Sequence, residues 1–504
     1  MQKICKVLLS WGLACSILAS GITAWAAGAT FDTLDQAAGP GQARQLLKTV
    51  NAEHKAVKKP VIHFEEYLHT DTKELFQGGS TENTDPFQPD TVMAPRQIQE
   101  DLDTLFGVLK GLYGPYYQFG GDIVFEHAKE NILKEQIGTA EDLALSIQKH
   151  LGFIKDAHFR INGEALSHVQ AARIFHGESF YKTPKGYQSA DGRLVASVEG
   201  YPDLDTIFRR FLSESGDIVW VPVILEELPG DLKTKPVSLF VRYQDGSQQV
   251  LTAEPWDSWF DKSRPDIELH DTNGIPVLFV RNMGFDEARG DELGKAFLQY
   301  AEQLKKEPVI IIDLRSNGGG NMLLPLKWFQ AYAGQLVPTN FSGLQYWSQE
   351  DLEAFCKETD SPYYISKETL ENTGATSPVS SAYMSQLTQP DAFIPNPNRL
   401  LILLTGKNTA SAAETFTDIA RNLENTLTIG ENTYGCMVSN AYTVITLPNS
   451  KIAVQLGSDL NIFPEGDFQE FIGFQPDLWA DGDAEQAAAA FAARYLKESQ
   501  KNMK

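Results

Sequence analysis

The feature that most restricts the fold is a set of short apolar runs lacking the alternation of a half-exposed strand. Pro276-Val277-Leu278-Phe279-Val280, Val309-Ile310-Ile311-Ile312 and Leu400-Leu401-Ile402-Leu403-Leu404 are too short for ordinary helices and too continuously apolar for surface strands. Between the first two, from Asp291 to Lys305, Leu293, Phe297, Tyr300, Ala301 and Leu304 fall on one helical face. Buried strands alternating with helices call for a largely parallel sheet covered on both faces, which is the α/β class.

The run at 400 closes at Thr405-Gly406 and leads to Thr409-Ala410-Ser411-Ala412-Ala413-Glu414, after which Phe416, Ile419, Ala420 and Leu423 keep helical spacing with Ala412. Ser411 therefore falls in the first turn of a helix fed by a buried strand. A hydroxyl there lies beside unpaired backbone N–H groups and the positive end of the helix dipole, an environment that stabilises an oxyanion. The same position is also that of an ordinary N-cap serine.

The chain has 504 residues, enough for two or three domains. Lys3 and Lys6, the apolar run from Val7 to Ile22, and Ala24-Trp25-Ala26 read as a secretory leader over residues 1–26, with no stable membrane span once it is cleaved. Residues 27–90 read as an N-terminal extension and linker, ending in the Gln77 to Pro86 turn cluster. Residues 91–164 form a helical module, with one helix from Pro95 and a second from Thr139, where Asp142 is placed for an N-cap exchange. The module ends in a short strand after His158. Residues 165–265 read as a small α/β middle domain, with a helix from Leu204 to Phe211 and a strand at Val237 to Tyr243. Residues 266–504 hold the alternating core, interrupted by a polar, irregular insertion at 335–399 and closed by a helix from Ala484 to Tyr495.

The net charge of −23 becomes −25 without the two leader lysines, and no basic patch offsets it, so nucleic acid is excluded as a partner. Of four cysteines, Cys356 and Cys436 remain after the leader is lost, too few for a disulfide framework. His63, Glu65, Glu66 and His69 do not have the spacing of a helical zinc motif, and no metal or cofactor is called for. The exported compartment is extracytoplasmic: secreted, periplasmic or cell-envelope.

All nine histidines lie at or before His270, so any histidine base for Ser411 precedes it in the chain. This excludes the serine, acid, histidine order of the hydrolase elbow proteins, and Ser411 lacks their Gly-x-Ser-x-Gly setting. Four segments occur in order: Ile312-Asp313-Leu314-Arg315-Ser316-Asn317-Gly318-Gly319-Gly320, Thr409 to Glu414, Gly430-Glu431-Asn432-Thr433-Tyr434-Gly435, and Gly473-Phe474-Gln475-Pro476-Asp477. With them the chain resembles the C-terminal processing (tail-specific) serine peptidases, in their tricorn-core-like branch, over roughly residues 95–480.

The resemblance implies a ClpP/crotonase-like, mostly parallel catalytic core, a PDZ-like middle domain without a clear carboxylate-binding signature, and protein or peptide substrates. It further implies an acyl-enzyme on Ser411. The lysine of the serine-lysine branch would fall at Cys436, so this chain departs from that branch, and Cys436 reads as a small packed residue. In the other branch, Asp156-Ala157-His158 supplies the base and Glu470, three residues before Gly473, the acid; Glu431 and Glu465 are rivals for the acid. The oxyanion donors would be the N–H of Ala412 and of Gly318 or Gly319, with Asp313 and Arg315 fixing the glycine loop. The alternatives are a catalytically silent ligand- or peptide-binding protein on the same fold and a non-peptidase hydrolase.

Overall fold

The computed structural model describes residues 42–60, 86–227, 236–253, 264–285, 292–348, 376–379, 382–387, 392–440 and 442–501. The leader, the His63 to His69 stretch, Cys356 and most of the Gln77 to Pro86 link lie outside the described residues.

The apolar runs are neighbouring strands of an 11-stranded sheet. Strands Ile275–Val280, Val309–Asp313, Leu400–Thr405, Thr426–Gly430, Leu478–Trp479 and Phe208–Leu212 lie side by side, each parallel to the next. Successive side chains of a strand point to opposite faces, and both faces here are apolar. Ile310, Ile312, Leu401 and Leu403 meet helices Glu292–Leu304, Leu323–Ala333 and Ala412–Ala420 through Phe297, Trp328 and Phe416. Val309, Ile311, Leu400, Ile402 and Leu404 meet helix Ala484–Lys501 through Ala488, Phe491 and Ala492. Each fully buried aliphatic side chain contributes about 1.5–3 kcal/mol, which is why these runs carry no polar interruption.

That second face is shared with helix Gln42–Ala56, from the stretch expected to be extension and linker. Its Ala43, Leu46, Leu47 and Val50 belong to the same buried cluster. Asn51 Nδ2 donates to Asn425 Oδ1 at 3.0 Å, Arg210 Nη2 donates to Glu53 Oε1 at 2.6 Å, and His54 Nε2 lies 2.9 Å from Asp477 Oδ1. Within its described part, then, the extension is a piece of the core.

The middle region departs from the expected α/β composition: its described residues contain strands and one 3₁₀ turn but no α-helix. The helix expected from Leu204 to Phe211 is a 3₁₀ turn at Leu204–Thr206 followed by strand Phe208–Leu212. Tertiary pairing overrides the helical spacing there. Phe211 pairs with Trp479, and the Phe208 ring stacks on Tyr187 at 4.1 Å between centroids. Strands Gln170–Ile174, Phe180–Thr183, Gly186–Ser189 and Ile218–Glu227 extend the large sheet, while Val195–Val198, Val237–Tyr243 and Gln248–Ala253 form a three-stranded sheet. Within the expected irregular insertion, the described residues include Ser342–Ser348, Thr376–Val379 and Ala382–Leu387, which join Asp459–Ile462 in a four-stranded sheet.

The helical module has three α-helices, Pro95–Leu112, Gly121–Leu133 and Ala140–His150; the second is not evident from apolar spacing. At the third, Thr139 Oγ1 accepts the Asp142 N–H at 3.2 Å and Asp142 Oδ2 accepts the Thr139 N–H at 3.0 Å, the exchange expected from sequence. The module core includes Ile445, Leu447, Ile452, Val454 and Leu456 of the hairpin Tyr442–Thr446 and Ala453–Gly457. Strand Arg160–Ile161 pairs with that hairpin, Arg160 opposite Gln455 and Ile161 opposite Val454. This pairing brings residues 156–158 beside Cys436 and Ser439.

Helix Ala412–Ala420 buries Asp418, whose Oδ2 accepts the Asn340 N–H at 2.7 Å and whose Oδ1 has no hydrogen-bond partner among the described residues. Burial, and then the charge of Asp467, push its carboxyl up to about 7. A carboxyl raised in the native state adds stability that is present below its unfolded pKa of about 3.9 and lost as pH rises through the native value. Asp418→Asn is therefore expected to flatten the fall in melting temperature between pH 5 and pH 8; an unchanged slope contradicts this. Leu46→Ala is expected to lower unfolding free energy in urea by about 2–5 kcal/mol, whereas a neutral effect would show helix Gln42–Ala56 to be detachable.

Candidate active site

Ser411 is the N-cap of helix Ala412–Ala420, with φ 54° and ψ −118°. A non-glycine residue held there costs about 1–3 kcal/mol and persists only where its surroundings over-determine it. Thr409 Oγ1 accepts the Gly406 N–H at 3.0 Å and donates to the Leu314 carbonyl at 2.8 Å. Ala410 N–H donates to the Asn317 carbonyl at 2.9 Å, and Tyr434 N–H to the Thr409 carbonyl at 2.8 Å. The Ser411 N–H itself donates to Glu414 Oε2 at 3.0 Å.

The glycine loop lies directly against this turn. A Cβ on Gly319, whose φ is +98°, would stand 2.7 Å from both the Ala410 carbonyl oxygen and Ser411 Cβ, so only glycine permits the approach. Asn317 pins the loop: its Nδ2 donates to the Val280 carbonyl at 3.0 Å, and its Oδ1 accepts the Gly319 N–H at 2.9 Å. The Gly319 N–H is thereby engaged. Those of Gly318 and Ala412 donate to no protein group among the described residues. Arg315 holds Asp313 in a buried two-pronged pair, Nε to Oδ1 at 3.0 Å and Nη2 to Oδ2 at 2.8 Å, at the strand end where the loop begins.

Glu414 is fully buried and organises the next layer. Its Oε1 accepts Thr433 Oγ1 at 2.6 Å and the Gly435 N–H at 2.8 Å, and its Oε2 accepts the Cys436 N–H at 2.8 Å besides that of Ser411. Burial pushes its carboxyl up to about 7 against the pull of these four donors. Glu470, also buried, continues the pattern: Oε2 accepts the N–H groups of Met437 and Val438, each at 3.0 Å, and Oε1 that of Ala157 at 2.8 Å. Burial and the charge of Asp156 hold its carboxyl well above the ordinary range.

His158 is half-buried beside this loop, with both ring nitrogens 3.4 Å from Cys436 Sγ. Its backbone N–H donates to Asp156 Oδ1 at 2.9 Å, and Asp156 Oδ2 accepts Tyr113 Oη at 2.8 Å and Ser439 Oγ at 2.7 Å. Burial lowers the imidazole pKa below 6.5, opposed by Asp156 and by a hydrogen bond to the Ser439 backbone. The ring is accordingly neutral at neutral pH, the state required of a base.

His158 and Glu470 thus touch the loop from Gly435 to Val438 directly, while Ser411 is tied to it through Glu414. Of the rival acids, Glu465 is exposed, and Glu431 lies 3.8 Å from Lys407 Nζ. The contributions of Glu414 and Asp156 were not evident from sequence, although Glu414 stands three residues after an N-cap, where a glutamate commonly reaches back. Among the described residues, no three histidine, cysteine or acidic side chains are grouped to hold a metal ion, and no helix is long and apolar enough to cross a membrane.

Comparison with solved structures finds mature CPAF, at 14% identity with 80% of this chain and 96% of that chain covered and a TM-score of 0.39. It also finds the photosystem II D1 C-terminal processing protease, at 14% identity with 77% and 93% covered and a TM-score of 0.34. The tricorn protease aligns at 13% identity over 81% of this chain and 37% of that chain, with a TM-score of 0.30. No curated protein sequence matches. The model of peptidase family S41 matches residues 277–479, which span the central parallel strands, the glycine loop, Ser411 and Glu470. Residues 277–479 are thus similar to peptidase family S41, a likeness that supports a serine-type peptidase.

Proposed function

We propose that this protein is an exported serine endopeptidase that cleaves peptide bonds through an acyl-enzyme on Ser411, with His158 as base and Glu470 as the acid of the triad. The observation that carries this reading is the strained Ser411 turn at a helix tip, with two uncommitted N–H groups beside it and a neutral imidazole on the adjoining loop. His158 takes the Ser411 Oγ proton as the hydroxyl attacks the scissile carbonyl, then returns it to the leaving amine. The carbonyl oxygen becomes an oxyanion facing the N–H groups of Ala412 and Gly318, while Gly319 supplies the close backbone approach. Water, activated by the same imidazole, then releases the acyl group.

Glu470 holds the residue before the imidazole through the Ala157 N–H, and in its ionised form favours the imidazolium as the proton arrives. Asp313 and Arg315 support the glycine loop. The substrate is a protein or peptide. The middle region, in the place of a PDZ-like domain, serves to shape or present it. Export to an extracytoplasmic compartment rests on the leader of residues 1–26.

A fluorophosphonate probe is expected to label the full chain, and Ser411→Ala to abolish both labelling and peptide hydrolysis, with a loss of at least ~10³-fold in kcat. A folded chain with no Ser411-dependent labelling would be a catalytically silent binding protein. The acid limb of kcat/KM is expected to have its midpoint below pH 6.5, because protonating His158 removes the base. A midpoint above that value, or a limb retained in His158→Asn, contradicts the assignment.

A further inference from the structure

Cys436 has no role in the chemistry above, yet its sulfur is the side-chain atom fixed against the proposed base. Sγ is 3.4 Å from Nδ1 and 3.4 Å from Nε2. A point equidistant from the two nitrogens lies on the plane that bisects them, which passes through Cε1 and across the ring. The sulfur therefore rests over the ring or against its Cε1 edge, and neither nitrogen's in-plane direction is taken by it. One nitrogen can bond the Ser439 backbone while the sulfur leaves the in-plane direction of the other clear.

The sulfur has little freedom to move. Cys436 is 6% exposed and packs with Ala157, Val169 and Phe471. Its N–H is held by Glu414, those of Met437 and Val438 by Glu470, and a Cβ on the preceding Gly435 would stand 2.4 Å from the Phe471 nitrogen. We propose that Cys436 is a positioning residue for the hydrolysis assigned to Ser411, its sulfur forming the stop against which the His158 ring is seated. The inference rests on that assignment and adds a residue to it.

Its chemistry is that of packing. Burial and the charges of Glu470 and Glu414 push the thiol pKa well up, so the sulfur stays protonated and forms no thiolate–imidazolium pair of the kind that makes a cysteine nucleophile. A polarisable sulfur against an aromatic ring is favourable and keeps water from that side of it. The charged and titratable groups around the ring are Asp156 and Arg160 from its own segment, Cys436 and Tyr434 from the loop, and the buried Glu470 and Glu414. Taking the sulfur away admits water and weakens the desolvation that lowers the imidazole pKa, so that pKa should rise.

The test uses full-chain Cys436→Ala and Cys436→Ser with a peptide substrate, together with an NMR titration of the His158 Cε1–H in a Ser411→Ala background. Cys436→Ala is expected to lower kcat ~10-fold with KM changed less than ~2-fold, as slight misplacement of a catalytic group does. Its acid limb and the His158 titration should both move up toward 6.5. Cys436→Ser, with an atom of similar reach, should recover most of kcat and serves in place of the alanine variant should that fail to fold. Wild-type kcat, pH profile and titration in both variants would overturn the proposal. So would inactivation of the wild type by iodoacetamide at Cys436 without fluorophosphonate labelling of Ser411, since sulfur would then be the nucleophile. The titration reads ring position without activity, so a failure of the peptidase reading and a failure of this inference give different results.

Discussion

Four successive backbone N–H groups, from Gly435 to Val438, are divided between two buried carboxylates, the first pair to Glu414 and the second to Glu470. Burying a carboxylate costs several kcal/mol unless its oxygens are supplied with donors, and here seven donors are spread over the two. The requirement works in both directions. Each carboxyl needs the loop, and another path for the loop would leave its buried oxygens without donors. Because the remaining donors are Ser411 N–H and Thr433 Oγ1 on one side and Ala157 N–H on the other, the same arrangement sets the serine turn and the imidazole segment relative to one another.

The two ends of that arrangement reach the loop by different routes. Ser411 comes from the central strand Leu400–Thr405, whose position is fixed by apolar packing on both faces of the sheet. His158 comes from the helical module, more than two hundred residues earlier, and is delivered by the pairing of Arg160–Ile161 with the hairpin strand Ala453–Gly457. Gln455 Nε2 adds a donor to the His158 carbonyl at 3.0 Å, locking the backbone at the residue itself. Core packing therefore places Ser411, while β pairing and a buried carboxyl place His158.

What could be read from sequence was what local pattern and burial determine. The apolar runs near 277, 309 and 400 are strands because uninterrupted apolar stretches of that length have no other buried solution, and Ser411 lies at a helix tip because the spacing after Ala412 is helical. Leu204 to Phe211 has helical spacing, yet Phe208–Leu212 is a strand, because its five residues pair with Ile218–Pro222 and Phe211 pairs with Trp479 on its other side. Gly319 is legible as a glycine that some close approach requires, but only the structure shows its N–H given to Asn317. Cys436 is the small buried residue its neighbours suggest; that its packing partner is an imidazole follows from contacts 278 residues apart. Helix Gln42–Ala56 reads as an appendage in composition and is a core element in packing, because the apolar face it covers is formed by residues spread from Leu212 to Ala492.

The most direct measurement of the central claim is a crystal structure of the full chain with a peptide aldehyde bound. The account predicts a hemiacetal on Ser411 Oγ, its oxygen about 3 Å from the N–H groups of Ala412 and Gly318, with a His158 nitrogen facing Oγ and the Cys436 sulfur still against the ring. A hemiacetal carbon attached to another residue, or a His158 ring turned away from Ser411 in the bound state, would contradict it.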